Sequence, residues 1–238
     1  GQPAGSNPVH PEQSSPSFCQ RTVSGLWRLP VLVESPEGYR NLCRLLTRMK
    51  LDAPKGEGAL TLEDLDGFTT GLVALAGRAA LMGHRYGVGG LLDRLVGLFG
   101  RSQVYVELQR HLLRDEAIDN QALIALADAY HVPLVATNGV RFAVTEDRPL
   151  YDMQTCLRHK TTLDRAGRRL ACNAERYLKS PAAMTRLFRD RPDALMAASE
   201  LGDRLGYTMA DLGYRFPAYP VPTGDTMISF LRAITEVG

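Results

Sequence analysis

The sequence predicts an α/β fold, with strands and helices alternating over roughly the first two thirds and a mainly helical segment after them. Three observations predict it. Short apolar runs are each followed by an amphipathic stretch, the rhythm of strand–helix units in a parallel sheet or barrel. The last third has helical spacings with no clear strand between them. The chain has 238 residues, 45% of them hydrophobic, enough for a core without disulfide or metal staples.

Residues 1–25 read as a flexible leader, with Pro3, Pro8, Pro11 and Pro16 among Gly, Ser, Gln and Asn. The chain begins with Gly rather than Met, which suggests a fragment or a processed product. Leu29 to Val33 predicts a buried strand. Ser35 then caps a helix with Pro36 at its first position. Tyr39, Leu42, Cys43, Leu46 and Met49 fall at spacings of three and four and predict its apolar face, with Cys43 as a small core residue. Leu62 to Leu65 predicts a short helix and Gly71 to Leu75 a second strand. Leu91 to Phe99 reads as a helix closed by Gly100. Val104 to Leu108 is the third strand. Asp115 to Tyr130 is a long helix with Ile118, Ala122, Leu123 and Leu126 on its face. Pro133 to Ala136 is the fourth strand. Leu150 to Arg158, Pro181 to Phe188 and Pro192 to Gly206 read as helices. Phe216 to Pro222 reads as an extended linker, and Thr226 to Ile234 as a last helix. The domain division expected is a leader over 1–25, an α/β part over 26–180 and a helical part over 181–238.

Composition excludes several classes. The longest apolar stretches carry Gly and are broken by Arg78, or by Asp93 and Arg94, so no membrane span is expected. No signal peptide is visible. Cys19, Cys43, Cys156 and Cys172 form no CxxC pair and fit neither a zinc site nor a disulfide framework. A reducing cytoplasm is the expected location. There is no GxSxG, Walker A or HExxH pattern, and Gly87-Val88-Gly89-Gly90 is not a GxGxxG loop. The histidines His10, His84, His111, His131 and His159 are all more than five residues apart, which argues against a metal cluster.

In parallel α/β folds the active groups gather where strands end. Here those points are Ala76-Gly77-Arg78, Arg110-His111 and Thr137-Asn138-Gly139-Val140-Arg141. Gly139 and Arg141 stand where an Asp and a His at that spacing could bind a metal, and neither is a useful ligand. Arg141 reads either as an ion-pair partner or as a phosphate contact; its guanidinium could also fill the space a cation would leave. Glu107 lies in the third strand, among apolar neighbours.

Charge is unevenly placed. The formal net charge is +2, yet Arg158 to Arg191 holds ten Lys/Arg against three Asp/Glu, a net +7, leaving −5 elsewhere. Arg158, Lys160, Arg165, Arg168, Arg169, Arg176 and Lys179 are interleaved with polar turn residues, a pattern that can neutralise phosphates or form a solvated face.

Several ordered motifs together resemble the PHP domain of bacterial C-family DNA polymerases, closest to the error-prone, damage-tolerant branch. They are Ser35-Pro36-Glu37-Gly38-Tyr39-Arg40-Asn41-Leu42-Cys43-Arg44-Leu45-Leu46-Thr47-Arg48, the string Glu107 to Asp115 with Val106 before it, Val132 to Asn138, Thr162-Leu163-Asp164 with Arg168-Arg169-Leu170, and Asn173 to Pro181 with Met184 and Leu187-Phe188. The resemblance covers about Leu29 onward. It implies an incomplete, distorted (β/α) barrel followed by a helical segment leading into a polymerase body. It implies a parent enzyme with DNA-directed DNA polymerase (nucleotidyltransferase) activity, in DNA replication, DNA damage and repair. That parent's magnesium and paired carboxylates would lie in a palm beyond residue 238, so this chain alone carries no catalytic residue. Many such barrels bind metals at strand ends. Here the expected ligand positions hold Arg78, Gly139 and Arg141, which implies a metal-free domain with no cofactor of its own. The partners implied are DNA, the rest of the polymerase chain and other translesion proteins. Two alternatives stand beside this reading: a metal-dependent phosphoesterase or exonuclease using His84, His111 and Glu107, and a basic nucleic-acid-binding module. A barrel lacking its first strands leaves open edges, so the isolated chain is expected to be poorly soluble or only partly folded.

Overall fold

A computed structural model of the chain describes residues 27–51, 53–55, 57–83, 88–208, 210 and 219–237. The expected leader, the Gly87 end of the glycine run, most of the linker's start, His10, Cys19 and His84 lie outside the described residues. The chain divides into two compact units, Gly1–Tyr207 and Thr208–Gly238.

The first unit carries a sheet of four strands in the order β1 (Val31–Val33), β2 (Leu72–Ala76), β3 (Val104–Gln109) and β4 (Leu134–Thr137). β2, β3 and β4 are parallel, as the strand–helix rhythm predicts. β1 departs from that expectation and runs antiparallel to β2, with Val33 opposite Leu72. The cause lies just beyond it. Ser35 Oγ accepts from the Gly38 amide at 3.2 Å and caps α1 (Pro36–Leu51). Gly71, at φ +74°, turns the chain against Gly38, where a Cβ would collide with the Gly71 carbonyl. The end of β1 is thereby held beside the start of β2, and Glu34 N donates to Gly71 O at 2.9 Å.

That close approach also corrects the face expected for α1. Gly38, Asn41 and Leu45 turn inward, whereas Cys43 and Leu46 are exposed. Asn41 is buried because its Nδ2 donates to Thr70 O at 3.0 Å. α3 (Val88–Phe99) ends at Gly100, φ +86°, as expected. A short α2 (Arg78–Gly83), not foreseen, follows β2 directly.

α4 (Arg114–Tyr130) follows β3. Its inward residues are Glu116, Asn120, Leu123 and Ala127, and Ile118, expected on that face, is 70% exposed. The helix is rotated because its first turns bury polar groups: Asn120 Nδ2 donates to Gln109 O at 2.9 Å, and Glu116 serves the loop after β3.

Both faces of the sheet are covered, which is why β2 is buried at every position. Leu72, Ala74, Ala76, Val104, Val106, Leu108, Leu134 and Ala136 share a core with Leu92 and Leu95 of α3 and Leu123 of α4. On the other face Val73, Leu75, Tyr105 and Val135 meet Leu201 of a later helix. After β4 come α5 (Arg148–Arg158), α6 (Leu163–Ala166), α7 (Pro181–Leu187) and α8 (Pro192–Arg204), the helix that carries Leu201. Pro181 and Pro192 open α7 and α8 where a missing amide is harmless. A single parallel bridge joins Phe142 to Tyr177 in this otherwise helical part.

The second unit holds α9 (Met227–Val237). Thr226 and Ser229 exchange bonds at its start, and the Tyr219 and Phe230 rings stack 6.1 Å apart. Among the described residues no helix is long and apolar enough to cross a membrane.

Candidate functional site at the carboxyl edge of the sheet

β2, β3 and β4 end on the same side, and the residues there come from five stretches of chain. After β2, the Arg78 Nε donates to Asp119 of α4. At the end of β3, Glu107 Oε1 accepts from Thr137 Oγ1 at 2.6 Å and from Gln109 Nε2 at 2.9 Å. A Cβ on Gly77 would lie 2.7 Å from Glu107 Oε2, so glycine leaves the room this carboxylate uses.

Arg110 leaves the other side of β3. Its two terminal nitrogens hold Asp190 at 2.6 and 2.8 Å, and one also donates to Leu187 O at 2.8 Å. The guanidinium lies 4.8 Å from the Phe188 ring, which is fully buried. These bonds from Arg110 hold the Asp190 carboxyl at about 2, well below its usual range.

His111 is 1% exposed. Its Nδ1 lies 2.6 Å from Glu116 Oε1 and its Nε2 lies 3.0 Å from Asn138 O. A carbonyl can only accept, so Nε2 carries a proton and donates it. Glu116 Oε2 accepts from the backbone amides of His111, at 2.6 Å, and Leu113, at 3.3 Å. Asn173 Nδ2 donates to His111 O at 2.6 Å. Both ring nitrogens are therefore spent inside the fold, binding the β3 loop, α4 and the β4 loop together.

Asn138 is buried, and its Nδ2 donates to Glu175 O at 3.1 Å and Tyr177 O at 2.6 Å. This draws residues 175–177 alongside the loop after β4, where Arg141 N donates to Arg176 O at 2.7 Å. The side chain of Arg141 is exposed. The guanidinium beside the strand ends is that of Arg176, whose Nη1 faces Gly139 O at 3.4 Å and Gln109 Oε1 at 3.5 Å.

The seven cations expected to contact phosphates separate into groups. Arg158, Lys160, Arg165 and Arg168 are exposed, and Arg169 is half-buried. Arg176 turns to the strand ends. The side chain of Lys179 is 5% exposed: its Nζ donates to Glu175 O at 2.6 Å, pairs with Glu175 Oε2 at 2.9 Å and lies 3.9 Å from the Tyr177 ring centre. An ammonium held this way is not presented to a phosphate.

Among the described residues no three His, Cys, Asp or Glu side chains converge as a metal-ligand set. At the three expected ligand positions, Arg78 is tied to Asp119, Gly139 has no side chain and Arg141 is exposed; His111, a ligand only in the alternative reading, has both ring nitrogens hydrogen-bonded within the fold. Sequence reasoning placed Asn138 in a strand-end run but gave no role to it, nor to Gln109, Glu116, Asn173 and Asp190. For Glu116 a signal exists, since an acid in the first turn of a helix accepts free amides. Asn138, Asn173 and Asp190 act across 27 to 80 residues of chain and leave no local trace, and Gln109 joins Glu107, two residues away, to Thr137 and Arg176, far off in sequence.

No family model matches the chain. It is similar to proteins named error-prone DNA polymerase. That of Rhodopseudomonas palustris strain BisB5 is 38% identical over 200 residues, 84% of this chain and 18% of that protein. That of Bradyrhizobium diazoefficiens is 37% identical over 207 residues, again 84% and 18%. That of Mycolicibacterium paratuberculosis is 38% identical over 223 residues, 88% of this chain and 20% of that protein. The chain thus spans about a fifth of the length of the curated relatives it matches.

Proposed function

We propose that this chain is the PHP-type part of an error-prone C-family DNA polymerase, acting as a metal-free structural piece and not as a nuclease. Its relatives' name supports the polymerase reading. The observation that carries the structural role is His111, whose two nitrogens serve Glu116 and Asn138 O and leave neither for a metal. Nucleotide transfer and its magnesium belong to the remainder of such a polymerase. This part braces that remainder and offers a surface to other translesion proteins.

Metal analysis of the purified protein tests the reading. No stoichiometric zinc or manganese is expected. Metal bound one to one and lost on His111→Ala overturns it, as does manganese-dependent, chelator-sensitive phosphodiester hydrolysis.

A second role is favoured by Arg158, Lys160, Arg165 and Arg168, four exposed cations within 11 residues. They fit non-specific contact with the DNA backbone, weakening steeply with salt. Absence of single-stranded DNA retention at low salt removes that role.

A further inference from the structure

We propose that Arg176 is a resident cation that closes the carboxyl edge of the sheet, and that glycine at position 139 is what admits it. The inference goes beyond the metal-free reading, because it says what holds that edge together.

Glu107 is a half-buried carboxylate among the ends of β2, β3 and β4. Its bonds from Thr137 Oγ1 and Gln109 Nε2 are neutral donors and do not balance its charge. Gln109 is oriented by the same contacts. Its Nε2 faces Glu107 at 2.9 Å, while its Oε1 faces Arg176 Nη1 at 3.5 Å. One amide therefore stands between the negative and the positive group, each end turned to the charge it complements.

Space at this edge is made by glycine on both sides. A Cβ on Gly77 would lie 2.7 Å from Glu107 Oε2, and one on Gly139 would lie 2.6 Å from Arg176 Nη1 and 2.8 Å from Gln109 Oε1. Gly139 also adopts φ +49°. The backbone of 175–177 is fixed by Asn138 Nδ2 and by Arg141 N, which aims the Arg176 side chain at the strand ends. Arg141, nearer in sequence, stays outside. The basic segment thus turns Arg176, as well as Lys179, inward, and at the strand ends the delocalised guanidinium of Arg176 supplies the positive charge.

Thermal unfolding of the full chain tests this. Arg176→Ala is expected to lower the midpoint by about 4–8 °C, the loss of hydrogen bonds to a charged group in a chain of this size. About 10 mM methylguanidinium chloride should restore at least half of that loss by filling the vacated place. Sodium chloride at equal ionic strength should not, and wild type should not respond. Gly139→Ala should lower the midpoint more in wild type than in Arg176→Ala, because the methyl group expels the guanidinium only where one is present. The left-handed φ penalty cancels in that comparison. Should Arg176→Ala not fold, Arg176→Lys carries the test: it keeps the charge, loses the planar fork, and should show a smaller loss that methylguanidinium does not reverse. A midpoint within 1 °C of wild type for Arg176→Ala, rescue by sodium chloride alone, or equal Gly139→Ala losses in both backgrounds overturns the proposal. A manganese-induced rise in the wild-type midpoint would count against the metal-free reading and leave the role of Arg176 to these variants.

Discussion

Replacing His111 with alanine removes one half of a buried pair. The ring is 1% exposed and the Glu116 side chain 7% exposed. The variant strands Glu116 Oε1, bonded at 2.6 Å, and leaves Asn138 O without its donor. Breaking a buried pair by removing one partner costs about 3–5 kcal/mol. The backbone amides of His111 and Leu113 remain on Glu116 Oε2, which places the loss near the lower end, about 3 kcal/mol. Against a total of about 5–15 kcal/mol, that is a large share. In a chain of this length it lowers the melting midpoint by roughly 6–12 °C. Urea unfolding followed by far-ultraviolet circular dichroism reads the free energies of both singles and the double. His111→Ala/Glu116→Ala should lose at least about 1.5 kcal/mol less than the two singles combined, since the double leaves no stranded charge. The reasoning fails if His111→Ala stays within about 0.5 kcal/mol of wild type, or if the singles add within that margin.

Phe188→Ala empties a fully buried position beneath Arg110 and should cost about 3–5 kcal/mol by chemical denaturation. Gly38→Ala drives a methyl group into the Gly71 carbonyl, a backbone atom that cannot step aside, and should fold poorly, read as loss of soluble yield and of a cooperative melt. The Arg110–Asp190 pair gives a signed pH dependence. The Asp190 carboxyl is lowered from 3.8 to about 2, so its stabilisation is complete above pH 4 and is lost as pH falls through 2. Asp190 is more than half exposed, so the effect is at most about 1 kcal/mol; Arg110→Met should flatten the stability curve between pH 4 and 2 by that amount. Arg158→Ala and Arg168→Ala should each reduce the salt slope of single-stranded DNA binding by about 0.7, whereas Lys179→Ala should leave it unchanged and lower stability.

Much of the fold is legible locally. Pro181 and Pro192 mark helix starts, Gly100 marks a helix end, and the apolar runs of β2, β3 and β4 are where their composition puts them. Faces are less legible. The spacing of Tyr39, Leu42, Cys43 and Leu46 describes a stripe, but the Gly38–Gly71 approach selects Gly38, Asn41 and Leu45 instead. On α4 the buried face carries Glu116 and Asn120, which hydropathy reads as solvent-facing. The basic segment is legible as a charge excess, but the inward turn of Lys179 depends on Glu175 and the Tyr177 ring folding back over it.

By itself the sequence determined most of the elements and their order, α2 excepted, and that positions 78, 139 and 141 hold Arg, Gly and Arg. These follow from propensities, caps and residue identities, all acting within a few residues. Only the tertiary structure decided the direction of β1, the inward pairing of His111 and Glu116, and that Arg176 enters beside Gly139 while Arg141 stays exposed. Each depends on groups distant in sequence or on the packing around them. A charge is buried or solvated according to whether folding brings it a partner, and composition alone does not carry that information.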